Sequence, residues 1–90
     1  MVVNNRRSEL EIISKILDLS KEGAKKTEIL YYGNLSYMQL KSYLTFLIKN
    51  GILEEKEVKD NGNTHKLYKP TEKGLVFYND IKKVLSHLDL

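Results

Sequence analysis

Thr27-Glu28-Ile29-Leu30-Tyr31-Tyr32-Gly33-Asn34-Leu35-Ser36-Tyr37-Met38-Gln39-Leu40, continued through Lys41 and Ser42 to Leu44, holds two helical patterns separated by a glycine turn. In the first, Thr27 offers an N-cap, Glu28 complements the positive end of the helix dipole, and Ile29, Leu30 and Tyr32 supply an apolar face ending at Gly33-Asn34. This helix spans only about two turns. The second opens on Ser36-Tyr37-Met38-Gln39, a capping box in which the Ser36 hydroxyl and the Gln39 amide each satisfy the other residue's backbone N–H. Leu40, Tyr43, Leu44, Leu47 and Ile48 then recur at helical spacing until Gly51 stops them. The opposite face of this helix carries Tyr37, Met38, Lys41, Ser42, Thr45 and Lys49, side chains able to bond to bases or phosphates.

Downstream, residues 52–58 read as a strand, Asp60-Asn61-Gly62-Asn63 as its turn and residues 65–69 as the returning strand, because Asn-Gly supplies the positive backbone angles of a tight hairpin. Pro70 blocks further ladder bonding, Thr71 caps, and a last helix runs towards Leu88. Gly74 falls inside that helix at a cost of about 1 kcal/mol relative to alanine, which predicts a close backbone approach there, against the preceding helix or the hairpin. Upstream, Ser8-Glu9-Leu10-Glu11 reads as a capping box that starts a first helix, with Leu10, Ile13, Ile16, Leu17 and Ser20 on its core face and Gly23 closing it. Ala24 to Lys26 connects, and can add a minimal strand to the hairpin.

These elements predict an α+β fold, mainly α: a winged helix-turn-helix with a three-helix core, a hairpin wing and a C-terminal dimerisation helix. The expected division is a basic arm over residues 1–7, the winged domain over 8–70 and the dimerisation helix over 71–90. Ninety residues make one domain that buries about 60 to 65% of its unfolded surface, a thin core that a partner subunit would help.

Composition excludes several classes. With no Cys and only His65 and His87, the ligands for disulfides, thiol chemistry and the usual structural zinc sites are missing. No nucleophile, base and oxyanion set assembles, and no phosphate-binding glycine loop appears, so no catalysis, cofactor or small-molecule ligand is expected. The apolar runs fall far below the roughly 18 residues of a membrane span, and residues 1–7 lack the apolar core of a signal peptide. A cytoplasmic, nucleoid-associated protein without a membrane partner is the expectation.

The net charge is only +3, but Lys25, Lys26, Lys41 and Lys49 face Glu28 alone between residues 24 and 50, while acids gather at Glu54, Glu55 and Glu57. A polarised surface is predicted.

Lys26-Thr27-Glu28-Ile29, Asn34-Leu35-Ser36-Tyr37, Leu40-Lys41-Ser42-Tyr43-Leu44 with Leu47, Gly51-Ile52-Leu53, and Tyr68 with Thr71-Glu72-Lys73-Gly74 together resemble the archaeal winged-helix family of small DNA-binding proteins. The resemblance covers roughly residues 10–88. It implies double-stranded DNA binding, a homodimer formed through the C-terminal helix, and an archaeal or archaeal-virus source. Pro70 stands where relatives often have an aliphatic residue, and the last helix is shorter than in members with a long antiparallel coiled coil.

The expected DNA contacts are Tyr37, Met38, Gln39, Lys41, Ser42 and Thr45 on the recognition helix, residues 36–50, in the major groove. Gln39 divides its amide between capping and adenine recognition. Lys59, Asn63, Thr64 and Lys66 of the wing suit the backbone or the minor groove, with Arg6 and Arg7 in the arm and Lys25 and Lys26 near the second helix's N-terminus, whose amides can also hold a phosphate. Phe77, Ile81, Val84 and Leu88 are spaced as a two-helix seam requires, and Leu75, Tyr78 and Leu85 form a second strip for the chain's own core. Sequence alone thus predicts a transcriptional regulator or chromatin-type DNA-binding protein; the alternative is a winged helix used for protein contact in a larger assembly.

Overall fold

The hairpin closes on a two-residue turn in which Asn61 and Gly62 take φ of 52° and 81°, the pair of positive angles that suits the natural twist of the strands on either side. The computed structural model describes the backbone of residues 4–88 and the side chains of residues 9–88. Strands β1, Leu53–Asp60, and β2, Asn63–Pro70, pair antiparallel from Leu53 opposite Pro70 to Asp60 opposite Asn63. Both run further towards the turn than their apolar residues suggest, because a tight turn lets pairing continue to its edge. Ala24 adds the expected third strand in minimal form: its N–H donates to the Tyr68 carbonyl at 2.9 Å and its carbonyl accepts from Tyr68 at 2.8 Å.

Helix α1 spans Asn4–Leu19 and so begins before Ser8. Ser8 therefore cannot act as an N-cap, which must lie outside the helix. Nothing in Asn4 to Arg7 breaks a helix, and each added residue gains a backbone bond once the helix exists. Ile13, Ile16, Leu17 and Ser20 lie buried as the spacing predicts, and the Ser20 hydroxyl donates to the Ile16 carbonyl at 2.8 Å.

Helix α2 spans Lys26–Tyr32, which places Thr27 inside it and makes Lys25 the N-cap. The Glu28 carboxylate reaches back and accepts from the N–H of the cap residue Lys25 at 2.8 Å, while Thr27, inside the helix, has no capping role. Ile29 is fully buried, but Tyr32 is 60% exposed. At 100° per residue it lies about 110° from the midpoint of Ile29 and Leu30, outside the core face.

Helix α3, Tyr37–Lys49, starts on the predicted capping box: Ser36 Oγ accepts from the Gln39 N–H at 3.1 Å and Gln39 Oε1 accepts from the Ser36 N–H at 3.0 Å. Leu40, Leu44 and Leu47 are buried, Tyr43 is half-buried and Ile48 is exposed at the edge of the stripe.

Helix α4 spans Glu72–His87, with the Thr71 hydroxyl accepting from the Gly74 N–H at 2.9 Å. A Cβ on Gly74 would overlap the Ile52 carbonyl oxygen and press on Pro70. The close approach predicted at this glycine is therefore made against the root of the hairpin. Along α1, Tyr78 donates its hydroxyl to Asp18 Oδ1 at 3.0 Å and the Lys21 ammonium sits 4.5 Å from the Tyr78 ring centre. The core is one cluster drawn from all four helices, Ala24 and the hairpin root.

Candidate nucleic-acid interface

The outward side of α3 faces two different surroundings. On one flank, Lys41, Thr45 and Lys49 line a cleft closed by Lys26 at the start of α2 and by Glu55 and Tyr68 on the hairpin. On the other, Met38, Gln39, Ser42 and Phe46 line an apolar groove with Leu10 and Ile13 of α1 and Phe77 of α4. The contact face read from sequence is thus split: Lys26, Lys41 and Thr45 come together in a basic cleft, while Met38, Gln39 and Ser42 border apolar surface. Tyr37 and Met38 are exposed at the helix start, Met38 at 79%. Gln39 spends its carbonyl oxygen on the cap and keeps its amide N–H groups available.

Among the described residues, Lys26, Lys41 and Lys49 have no carboxylate within ion-pair distance. Three ammonium groups around one concave surface make a local positive field, which in water costs little until an anion is excluded or attracted.

Strand alternation orients the wing. Leu53, Glu55, Glu57 and Lys59 share one face with Thr64, Lys66, Tyr68 and Pro70. At its root this face is buried, and Tyr68 and Glu55 turn it towards α3. Lys59, Thr64 and Lys66 therefore project on the side of the hairpin that borders the lysine cleft. Asn63 lies on the opposite face.

Strand alternation also divides the acid run, leaving Glu55 and Glu57 on one face and Glu54 on the other. Consecutive strand residues point to opposite faces, so Glu54 and Glu55 separate: Glu54 pairs with Lys56 at 3.2 Å and Glu55 with Lys66 at 3.7 Å. Glu55 also accepts from the buried Tyr68 hydroxyl at 2.8 Å, and burial, with this bond next in weight, pushes the Tyr68 phenol up to about 12. Burial, with the Glu9 carboxylate next in weight, likewise raises the Tyr43 phenol from its ordinary value. Sequence reasoning missed Glu55 as a member of this site. Its signal, the Glu55 and Tyr68 cross-strand pair, becomes legible only once the hairpin register is known.

Lys25 is exposed and outside the cleft. Its N–H is held by Glu28, so the chain's own carboxylate occupies part of the anion position expected at the start of α2. The side chains of Arg6 and Arg7 lie outside the described residues.

The seam assigned to α4 is also redistributed. Ile81 is 2% exposed and belongs to the chain's own core with Tyr78, while Leu75, assigned to that core, is 43% exposed. Phe77 is partly buried against the core; Val84 and Leu88 remain exposed beside it. A spacing of three and four defines strips on a helix but not which strip meets α1. Contact with α1 selects the strip centred on Gly74, Tyr78, Ile81 and Leu85.

Residues 6–88 match the winged helix-turn-helix family. An uncharacterised protein of Methanocaldococcus jannaschii is 40% identical over 55 residues, 60% of this chain and 57% of that protein, so the chain spans just over half the length of that relative. Among solved structures, Sso10a-2, a DNA-binding protein from Sulfolobus solfataricus, superposes with a TM-score of 0.73 at 28% identity over 86% of this chain and 77% of its own. A PadR-like transcriptional regulator from Bacillus cereus superposes at 0.78 with 18% identity over 93% and 88% of the two chains, a likeness of fold.

Proposed function

This chain belongs to the winged helix-turn-helix family, and on that premise we propose that it binds double-stranded DNA as a transcriptional regulator or chromatin-type protein. The N-terminal half of α3 enters the major groove, and the wing lies on the backbone or in the minor groove. The observation that carries this reading is the cleft of Lys26, Lys41 and Lys49, unpaired among the described residues, bordered by the hairpin face that bears Lys59, Thr64 and Lys66. An electrophoretic mobility shift with random duplex at two salt concentrations tests it. Binding that weakens steeply with salt is expected, because each lysine that reaches a phosphate releases a counterion. Absence of binding at low salt overturns it. Replacing Lys41 with Ala is expected to weaken binding in a folded protein: equally on all sequences if it meets a phosphate, or selectively by about 1 to 3 kcal/mol if it reads a base.

We further propose a homodimer in which the outer flank of α4, Phe77, Val84 and Leu88, meets its symmetry mate, setting two recognition helices at a fixed separation on symmetric sites. Sedimentation equilibrium of the wild type and of Val84→Glu tests this: a wild-type monomer at micromolar concentration, or an undiminished dimer in the variant, overturns it. One observation favours a second reading, protein contact: the apolar groove between α1, α3 and α4, with Met38 and Phe46 exposed at its border.

A further inference from the structure

We propose that Glu55 is an electrostatic brake built into the DNA-facing cleft, holding binding weaker and less salt-dependent than the lysines alone would make it; this rests on the DNA-binding reading above. Among the described residues, Glu55 is the one carboxylate that lines the cleft shared by Lys26, Lys41 and Lys49. It is held there from two sides. The Tyr68 hydroxyl, carried on a ring 3% exposed, donates to Oε2 at 2.8 Å, and the Lys66 ammonium stands 3.7 Å from Oε1. Tyr68 is itself pinned by the paired backbone bonds to Ala24 and sits directly opposite Glu55 in the register. The carboxylate is therefore placed by the core of the protein and not by a free surface rotamer.

Its structural duty does not call for a charge. The buried Tyr68 hydroxyl needs an acceptor, and a neutral amide oxygen would serve. The negative charge has two further consequences, both at the surface where DNA would lie. It opposes any phosphate drawn in by the three lysines, and it occupies Lys66, which alternation places on the same hairpin face. A regulator that must leave its sites needs such a limit, since non-specific attraction otherwise grows with every lysine.

Glu55→Gln isolates the charge, since it keeps an acceptor for Tyr68. Glu54→Gln is the control: it removes the same charge from the same strand, but from the opposite face, where Glu54 pairs with Lys56 at 3.2 Å. Both variants are compared with the wild type by thermal unfolding and then titrated into random duplex across a salt series. Glu55→Gln is expected to bind roughly three- to tenfold more tightly on every sequence at low salt, the effect of one charge several ångströms from a phosphate in partly screened solvent. The log–log salt dependence steepens by up to about 0.9 as Lys66 becomes free to take a phosphate. Glu54→Gln should change affinity less than twofold.

Equal effects of the two variants overturn the proposal, because net charge alone then explains them. Unchanged binding by Glu55→Gln also overturns it. So does weaker, sequence-selective binding, which would mark Glu55 as an acceptor for a base amino group. Should Glu55→Gln unfold, Lys66→Ala decides instead: weaker binding with an unchanged salt slope shows that Glu55 already holds Lys66 away from phosphate and acts on the cleft, whereas a flattened slope shows that Lys66 was never restrained. If the wild type itself fails to bind duplex at low salt, the parent reading fails and this one with it; wild-type binding with an indifferent Glu55→Gln defeats this one alone.

Discussion

The root of the hairpin and its tip are made from the same two strands, yet they belong to different environments. At the root, Leu53, Tyr68 and Pro70 are buried, Ala24 closes a third strand, and the Ile52 carbonyl lies against Gly74. From Lys56 outward on β1 and up to Thr64 on β2, every residue is exposed. The root derives its stability from distant elements, whereas the tip is held by its own ladder and its Asn61-Gly62 turn. The tip can therefore carry charges for a partner at little cost to folding, and the root cannot be altered without disturbing α4. Helix α4 repeats the division, with Ile81 inside and Val84 outside.

Five variants test how sharp this boundary is. The largest effect is expected for Ile81→Glu, which forces a charge into the core and should cost about 4 kcal/mol, a large part of the stability of a small domain. Val84→Glu, one helical turn on but exposed, should change chemical denaturation by less than about 0.5 kcal/mol per monomer. Similar losses in both would mean that the two faces of α4 are not distinct.

Gly74→Ala comes next. Its helix propensity favours the variant by about 1 kcal/mol, but the added methyl overlaps the Ile52 carbonyl, and a net loss of about 3 kcal/mol is expected in urea titration. A stabilised variant would show that the hairpin root can move away from α4.

Tyr68→Phe should cost about 1 kcal/mol at neutral pH, the worth of the hydroxyl's bond to Glu55. It also carries a pH signature. The Tyr68 phenol is raised from 10.0 to about 12, so folding favours its protonated form; its contribution is complete below pH 10 and is lost as pH rises towards 12. The wild type should therefore lose stability over that window more steeply than the phenylalanine variant. Parallel curves would show that the phenol is not held at the root.

The smallest effect on folding is expected at the tip. Lys59→Ala with Lys66→Ala should leave the unfolding midpoint nearly unchanged, yet flatten the salt dependence of DNA binding by up to roughly one unit of slope, the contact of Lys59, since Glu55 holds Lys66. An identical slope would mean that the wing does not touch the backbone.

The features legible in the sequence share a short range. The Ser36 and Gln39 capping box, the Thr71 cap and the Asn61-Gly62 turn each depend on atoms within three residues, so their chemistry is written in adjacent letters. Caps went astray where a helix began further upstream. Lys25 is the cap residue at α2, and α1 simply continued upstream of Ser8. In the candidate site, Lys26, Lys41 and Thr45 could be grouped from helix order and spacing, and Lys59, Thr64 and Lys66 from the turn. The membership of Glu55 could not, because it follows from register and from Tyr68, which stands 13 residues away in the chain.

By itself, then, the sequence determined the order of elements, the caps of α3 and α4, the turn and the spacing of apolar strips, since these rest on local hydrogen bonds and backbone angles. Only the tertiary structure decided which strip faces inward. Periodicity sets the interval between side chains on a helix but leaves its rotation free, and rotation is settled by the neighbours it packs against. That is why Ile81 lies in the core and Leu75 outside it, why the outward side of α3 divides between a basic cleft and an apolar groove, and why a glycine in mid-helix is required where α4 crosses the hairpin root.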